Sequence, residues 1–202
     1  MQKAACALTS IPAPAIGVDE VGRGAACGPV VACAVRLRPG DGIDDIVIDL
    51  RDSKKLGPAR RQALADRLRD RVEWAVRARS ARAIDRANIR DATLDAMADA
   101  IVCLDSTGRH AVVVDGCDRP NLADARAIHT LTKADDRIVE VAAAAIIAKA
   151  FRDALMSRLA MRYPQYDWER NAGYLTAPHR RQLRAHGPSE HHRRTFLRRV
   201  LD

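Results

Sequence analysis

Ala111-Val112-Val113-Val114 is wholly apolar, only four residues long, and ends in Asp115-Gly116. A run this short reads as a β-strand buried on both faces, because a half-buried strand alternates and a helix needs more length. The rest of the chain supplies matching elements. Residues 16–22 read as a strand, and Pro29–Leu37 as a second, after a turn with Gly24 and Gly28. Val72–Ala81 reads as a third strand and residues 126–133 as a fifth. Pro58 suits the first position of a helix that carries Leu64, Leu68 and Val72 at intervals of four. Residues 84–104 read as one amphipathic helix, with Leu94, Met97, Ile101 and Leu104 on one face. A long helix from Asp136 to Met161 carries the small-residue run from Val141 to Ala148, which permits close packing on a sheet. Two short helices, 177–186 and 189–200, follow Pro164. Strands come early and helices separate the later ones, which predicts an α/β fold with a mixed sheet flanked by helices.

The apolar strand delivers a carboxylate, Asp115, at its end. A second acidic feature lies in Ile16-Gly17-Val18-Asp19-Glu20-Val21-Gly22-Arg23-Gly24. Adjacent carboxylates on a strand repel each other and become useful when a divalent cation screens them. Successive strand side chains face opposite ways. Either the strand ends or twists there, or one residue contributes its carbonyl, with Asp19 as the central ligand. Gly22-Arg23-Gly24 lets backbone approach a ligand closely and adds a cation suited to phosphate. Together these point to metal-assisted chemistry on a phosphodiester. Hard oxygen ligands select Mg²⁺ or Mn²⁺ over zinc.

Charge agrees with a polyanionic partner. The formal net charge is +8, and residues 170–202 hold eight Arg, no Lys and only the acids Glu190 and Asp202. Such a basic segment suits a nucleic-acid backbone. Lysine is scarce, yet Lys54, Lys55, Lys133 and Lys149 all fall in the notable segments. With aromatics at 3%, Ala, Val, Leu and Ile must fill the core. Five scattered Cys, with no C-x-x-C pair, read as reduced thiols of a cytoplasmic protein. Nothing reads as a signal peptide or a bilayer-spanning segment, so no membrane association is expected.

Ordered motifs make the chain resemble the bacterial ribonuclease HII family. They begin with Gly17–Gly24, Gly28-Pro29-Val30-Val31-Ala32 and Asp52-Ser53-Lys54-Lys55-Leu56. Ile84-Asp85, Asn88-Ile89, Ala92-Thr93 and Val114-Asp115-Gly116 follow. Lys133-Ala134-Asp135 leads to Ala143–Lys149 and Arg152-Asp153. Gly173-Tyr174-Leu175-Thr176 with His179, and His191–Phe196, complete the set. The resemblance implies a ribonuclease H-like core over 1–162 and a basic helical extension over 163–202, packed as one structural unit. It implies an endoribonuclease that cuts the RNA strand of RNA–DNA hybrids and single ribonucleotides in duplex DNA, leaving 3′-hydroxyl and 5′-phosphate ends.

The family's four acidic positions fall on Asp19, Glu20, Asp115 and Asp135, and imply a two-ion Mg²⁺ or Mn²⁺ site. In that arrangement Asp19 bridges the ions, Glu20 and Asp115 flank one, and Asp135 completes the other. Asp136 stands next to Asp135, and either can be the fourth ligand or the helix cap. The resemblance also assigns Gly22, Arg23, Gly24 and Tyr174 to reading the ribose and its deoxyribose neighbour. Lys54, Lys55, Lys149 and Arg152 are assigned to phosphate, and Arg193 and Arg194 to a basic segment that closes over the duplex. No apolar stripe is left over for self-association, so a monomer is expected. A non-catalytic nucleic-acid-binding protein of the same fold is the alternative.

Overall fold

The computed structural model describes residues 15–38, 40, 42–51 and 56–201. Five strands form one sheet: β1 (Ala15–Val21), β2 (Val30–Arg36), β3 (Glu73–Arg79), β4 (Ala111–Asp115) and β5 (Ile128–Leu131). Their spatial order is β3-β2-β1-β4-β5. β1 and β2 form an antiparallel pair, as do β2 and β3, whereas β4 runs parallel to both β1 and β5. The sheet is mixed, as the order of elements in the sequence predicts. The helices are α1 (Asp44–Arg51), α2 (Pro58–Arg69), α3 (Ala81–Ala87), α4 (Ile89–Leu104), α5 (Val139–Arg162), α6 (Trp168–Asn171), α7 (Ala177–His186) and α8 (Arg194–Leu201).

Both faces of the sheet are covered, which is why β4 is apolar at every position before its acid. On one face Ile16, Val18, Val112 and Val114 pack with Ala96, Met97 and Ile101 of α4. On the other, Val31, Cys33 and Val35 meet Leu64 and Leu68 of α2 and the Ala142–Ala148 stretch of α5. The small residues of α5 bring its axis close to β1. At Gly17 a Cβ would collide with the backbone of Glu140 and Val141, so the helix rests directly on the strand there. A third cluster joins Ala26 and Cys27 to Met156, Tyr166, Trp168, Leu183 and Leu197, and holds the C-terminal helices against the core.

Several elements differ from the sequence reading. The expected helix over 84–104 is two helices, broken at Asn88, whose φ is 107°. The Asn88 side chain accepts a hydrogen bond from the Asp91 N–H at 2.9 Å and so starts α4 afresh. Ser80 ends β3 early because it caps α3, accepting from the Ala83 N–H. α1 was not anticipated, since Ile46-Val47-Ile48 is β-branched and hides its helical spacing. Ile46 and Leu50, four apart in it, are buried. The long helix begins at Val139, and Asp136 lies in a preceding 3-10 turn, Ala134–Asp136. The short α6 was also missed.

Candidate active site

Asp19 and Asp115 owe their meeting to strand register. Val18 pairs with Val114 across parallel strands, so the two acids are the next residues on neighbouring strands. Alternation then sorts the side chains by face. Asp19 follows Gly17 onto the α5 face, and Glu20 follows Val18 onto the α4 face. Asp115 follows Val113, which packs with Ala134 and Val141. The Ala134 N–H donates to Asp115 Oδ1 at 2.7 Å, which ties the end of β4 to the turn that carries Asp135. Lys133 begins that turn in a left-handed conformation, φ 59°.

The charges of these acids act on one another. Asp19 is buried, and burial pushes its carboxyl well above the usual carboxylate range. The negative charges of Glu20, Asp115 and Asp135 push it the same way, against the Glu20 N–H, which donates to Asp19 Oδ1 at 2.6 Å. Asp135 is half-buried and its charge acts on Asp19, whereas Asp136 is exposed. Burial also raises Glu20, with Asp115 and Asp118 adding to the rise and Arg23 opposing it.

Arg23 is suspended between two acids, 3.6 Å from Glu20 Oε1 and 3.6 Å from Asp118 Oδ2. Asp118 in turn accepts from Arg90 Nε at 2.8 Å. Glu20, Arg23, Thr93, Met97, Asp115 and Asp118 line a narrow cleft on the α4 face. Sequence reasoning missed Asp118 and Arg90. The available signal was Asp115-Gly116-Cys117-Asp118, where Gly116, φ 104°, turns the chain back towards the strand end.

The Gly22-Arg23-Gly24 turn and Tyr174 also come together. Gly22 has φ 89°, and a Cβ on it would run into Arg152 Nε, so both conformation and space demand glycine. Tyr174 is 43% exposed, and its ring Cε1 stands 3.7 Å from where a Cβ on Gly24 would lie. Gly173 O accepts from the N–H groups of Ala26 and Cys27 at 2.9 and 3.1 Å, joining the Tyr174 loop to the turn.

Behind Tyr174 lies a polar network. His179 Nδ1 faces the Tyr174 carbonyl at 2.9 Å and must donate to it. His179 Nε2 therefore accepts, its single lone pair shared between Trp168 Nε1 at 3.2 Å and His192 Nε2 at 3.1 Å. His192 Nδ1 accepts from the Ser189 N–H at 2.9 Å, which fits the same assignment. Both rings are neutral in this network, and burial lowers both, His192 to about 4.

Not every expected contact residue faces outward. Arg152 and Arg193 are fully buried and spend their guanidinium groups on backbone carbonyls, so neither reaches a phosphate as the sequence suggests. Their burial follows from the close approach of the Gly22–Pro29 segment to α5 and the C-terminal segment. Arg194 is exposed, and its backbone N–H donates to Asp85 Oδ2 at 2.8 Å. Lys149 is half-buried, and its Nζ donates to Asp153 Oδ1 at 2.6 Å. Lys54 and Lys55 lie outside the described residues.

The donor set fits a hard divalent cation. It is all carboxylate oxygen, and the like charges of Glu20, Asp115 and Asp135 act on the buried Asp19. Among the described residues, no three His, Cys, Asp or Glu side chains stand close enough to hold an ion as they are.

A family model described as Ribonuclease HII matches residues 16–200. The Ribonuclease HII of Acaryochloris marina is 46% identical over 183 residues, covering 89% of this chain and 90% of its own. Among solved structures, the ribonuclease H2 from Pyrococcus horikoshii OT3 superposes with a TM-score of 0.77 at 24% identity, over 93% of this chain and 97% of its own. Bst-RNase HIII in complex with Mn²⁺ gives a TM-score of 0.66 at 25% identity, over 91% of this chain and 64% of its own. With its fold, its gathered acids and these likenesses in agreement, the chain belongs to the ribonuclease HII family.

Proposed function

We propose that this member of the ribonuclease HII family is an endoribonuclease that cuts the RNA strand of RNA–DNA hybrids, and also single ribonucleotides within duplex DNA. The observation that carries the reading is the convergence of Asp19, Glu20, Asp115 and Asp135 beside a glycine-framed turn. These four residues would hold Mg²⁺ or Mn²⁺, and the solved Mn²⁺ complex of Bst-RNase HIII supports a divalent requirement. Two bound ions supply Lewis-acid stabilisation of charge at a phosphodiester.

The protein's own groups do the rest. Asp19 sits deepest and fixes the pocket, held from behind by the Glu20 N–H. The Ala134 N–H keeps Asp115 aimed at the same place. Arg23, anchored at each end by an acid, presents a cation at the rim for a substrate phosphate. The backbone of Gly22–Gly24 meets the ribose 2′-hydroxyl, the group that distinguishes RNA from DNA. Tyr174, exposed beside Gly24, packs on the neighbouring deoxyribose. Arg194 and Lys149 contribute charge to the backbone contacts, with Lys54 and Lys55 as further phosphate contacts.

The products are assigned as 3′-hydroxyl and 5′-phosphate ends. Residues 1–162 act as the catalytic core, with 163–202 as a basic extension of the same unit. Unpaired Cys27, Cys33, Cys103 and Cys117 support a reducing, cytoplasmic setting, and among the described residues no helix is long and apolar enough to cross a membrane. The protein acts as a monomer.

A substrate panel tests the reading. A long hybrid, a duplex with one embedded ribonucleotide and an all-DNA duplex are incubated with Mg²⁺ or Mn²⁺, and the ends are analysed. The first two should be cut and the third left intact. Binding without cutting would instead mark a non-catalytic nucleic-acid binder.

A further inference from the structure

Arg152 and Arg193 are both 0% exposed, and the hydrogen bonds of both guanidinium groups go to backbone carbonyl oxygens. Desolvating a guanidinium is costly unless its donors are satisfied, and two side by side also repel. Burial and the neighbouring Arg152 charge hold Arg193 down to about 10. A pair this unfavourable needs many good hydrogen bonds in return.

The carbonyls they bind form a pattern. Arg193 donates from Nη2 to Gly22 O at 2.7 Å, from Nη1 to Arg23 O at 2.8 Å and from Nε to Gly28 O at 3.1 Å. Arg152 donates from Nη2 to Cys27 O, from Nε to Pro29 O and from Nη1 to Ala172 O, each at 3.0 Å. The first set grips both ends of the segment that begins with the Gly-Arg-Gly turn. The second ties that same segment to the residue before Gly173-Tyr174. The Arg193 backbone N–H also donates to Ala26 O at 2.8 Å, and Gly28 N–H to His191 O at 2.9 Å.

We propose that Arg152 and Arg193 are positioning residues that set the distance between the ribose-reading turn and Tyr174. In this way they tune recognition of a ribonucleotide next to a deoxyribonucleotide. The proposal rests on the reading above, in which the turn senses the 2′-hydroxyl and Tyr174 the adjacent deoxyribose. A single embedded ribonucleotide offers one register in which both contacts can form. A continuous hybrid offers a ribose at every step and tolerates a misplaced gauge. Lysine would keep the buried charge but lose the planar fork that spans several carbonyls.

The test compares kcat and KM on a duplex with one ribonucleotide and on a continuous hybrid, with thermal unfolding measured alongside. The variants are Arg193→Lys, Arg152→Lys, Tyr174→Ala and Leu197→Ala. Leu197 is 1% exposed in the same C-terminal cluster and serves as the packing control. Each Arg variant should lower kcat on the single ribonucleotide by about tenfold or more, as small misplacements do. KM should stay within about twofold, and the continuous hybrid should be affected far less. Leu197→Ala should lower stability without changing the preference between the two substrates. If Arg193→Lys does not fold, Arg152→Lys carries the test. An unchanged preference in a folded Arg variant, with Tyr174→Ala abolishing it, would overturn the positioning role and leave the reading intact. No change in Tyr174→Ala either would overturn the reading itself, and the proposal with it.

Discussion

Asp115 meets two demands at once. One carboxylate oxygen holds the Ala134 N–H, and the group as a whole faces a pocket already crowded with negative charge. Asparagine keeps the acceptor and the size but removes the charge. Asp115→Asn should therefore leave the unfolding transition nearly unchanged while turnover of a hybrid falls by about three orders of magnitude. Near-normal cleavage by a folded variant would remove Asp115 from the site. The sequence exposed this residue because an apolar strand ending in Asp-Gly has few other uses. It exposed Asp19 because an acid pair flanked by Ile16, Val18 and Val21 sits poorly on a water-facing strand. The sequence favours Asp135 over Asp136 as the fourth acid, because Asp136 can take the cap, but both precede a helix and both can cap it. Asp135 is half-buried and its charge acts on Asp19, while Asp136 is exposed, which favours Asp135. Arg193 was misjudged for a related reason. A run of basic residues near a chain end suggests a solvated face, and only tertiary contact turns one of them inward.

Elements fix the distances between these residues, and the contact of β1 with α5 is the tightest of them. Gly17→Ala should cost about 3 kcal/mol of unfolding free energy in urea, because the new methyl meets helix backbone that cannot yield. A loss below about 0.5 kcal/mol would mean that the strand and helix separate easily. The C-terminal helices add a pH dependence. An unfolded histidine takes a proton near 6.5, whereas buried His192 resists until about 4, and burial lowers His179 as well. The unfolded state thus binds more protons between those limits. The contribution is intact above about pH 6.5 and is lost as pH falls towards about 4. His192→Asn should unfold at lower temperature than the parent at pH 7.5 but lose less on acidification. Parallel acid profiles would contradict the network. Periodicity revealed the long α5 and the Met97–Ile101 face of α4. It could not show the break at Asn88, which depends on a left-handed backbone and a side-chain cap rather than on hydrophobic spacing.

At the scale of the whole molecule, a formal net charge of +8 accompanies a small acidic pocket. The surface draws a polyanion in, while the pocket repels its phosphates unless cations intervene. Binding to a hybrid should therefore weaken steeply as salt rises, with the logarithm of the affinity falling linearly against the logarithm of salt concentration. A flat dependence in a fluorescence-anisotropy titration would count against the basic footprint. The mixed sheet covered on both faces was legible from strand order and from the apolar β4. The inward-facing guanidinium pair was not, because it depends on contacts between residues more than a hundred positions apart. A divalent requirement is the most direct consequence expected of the acid cluster. Cleavage of a continuous RNA–DNA hybrid should be measured across a titration of free Mg²⁺ or Mn²⁺ set by a chelator. The rate should vanish when the ion is withdrawn and return when it is restored, with Asp19→Asn inactive throughout. Undiminished cutting in excess chelator would contradict it.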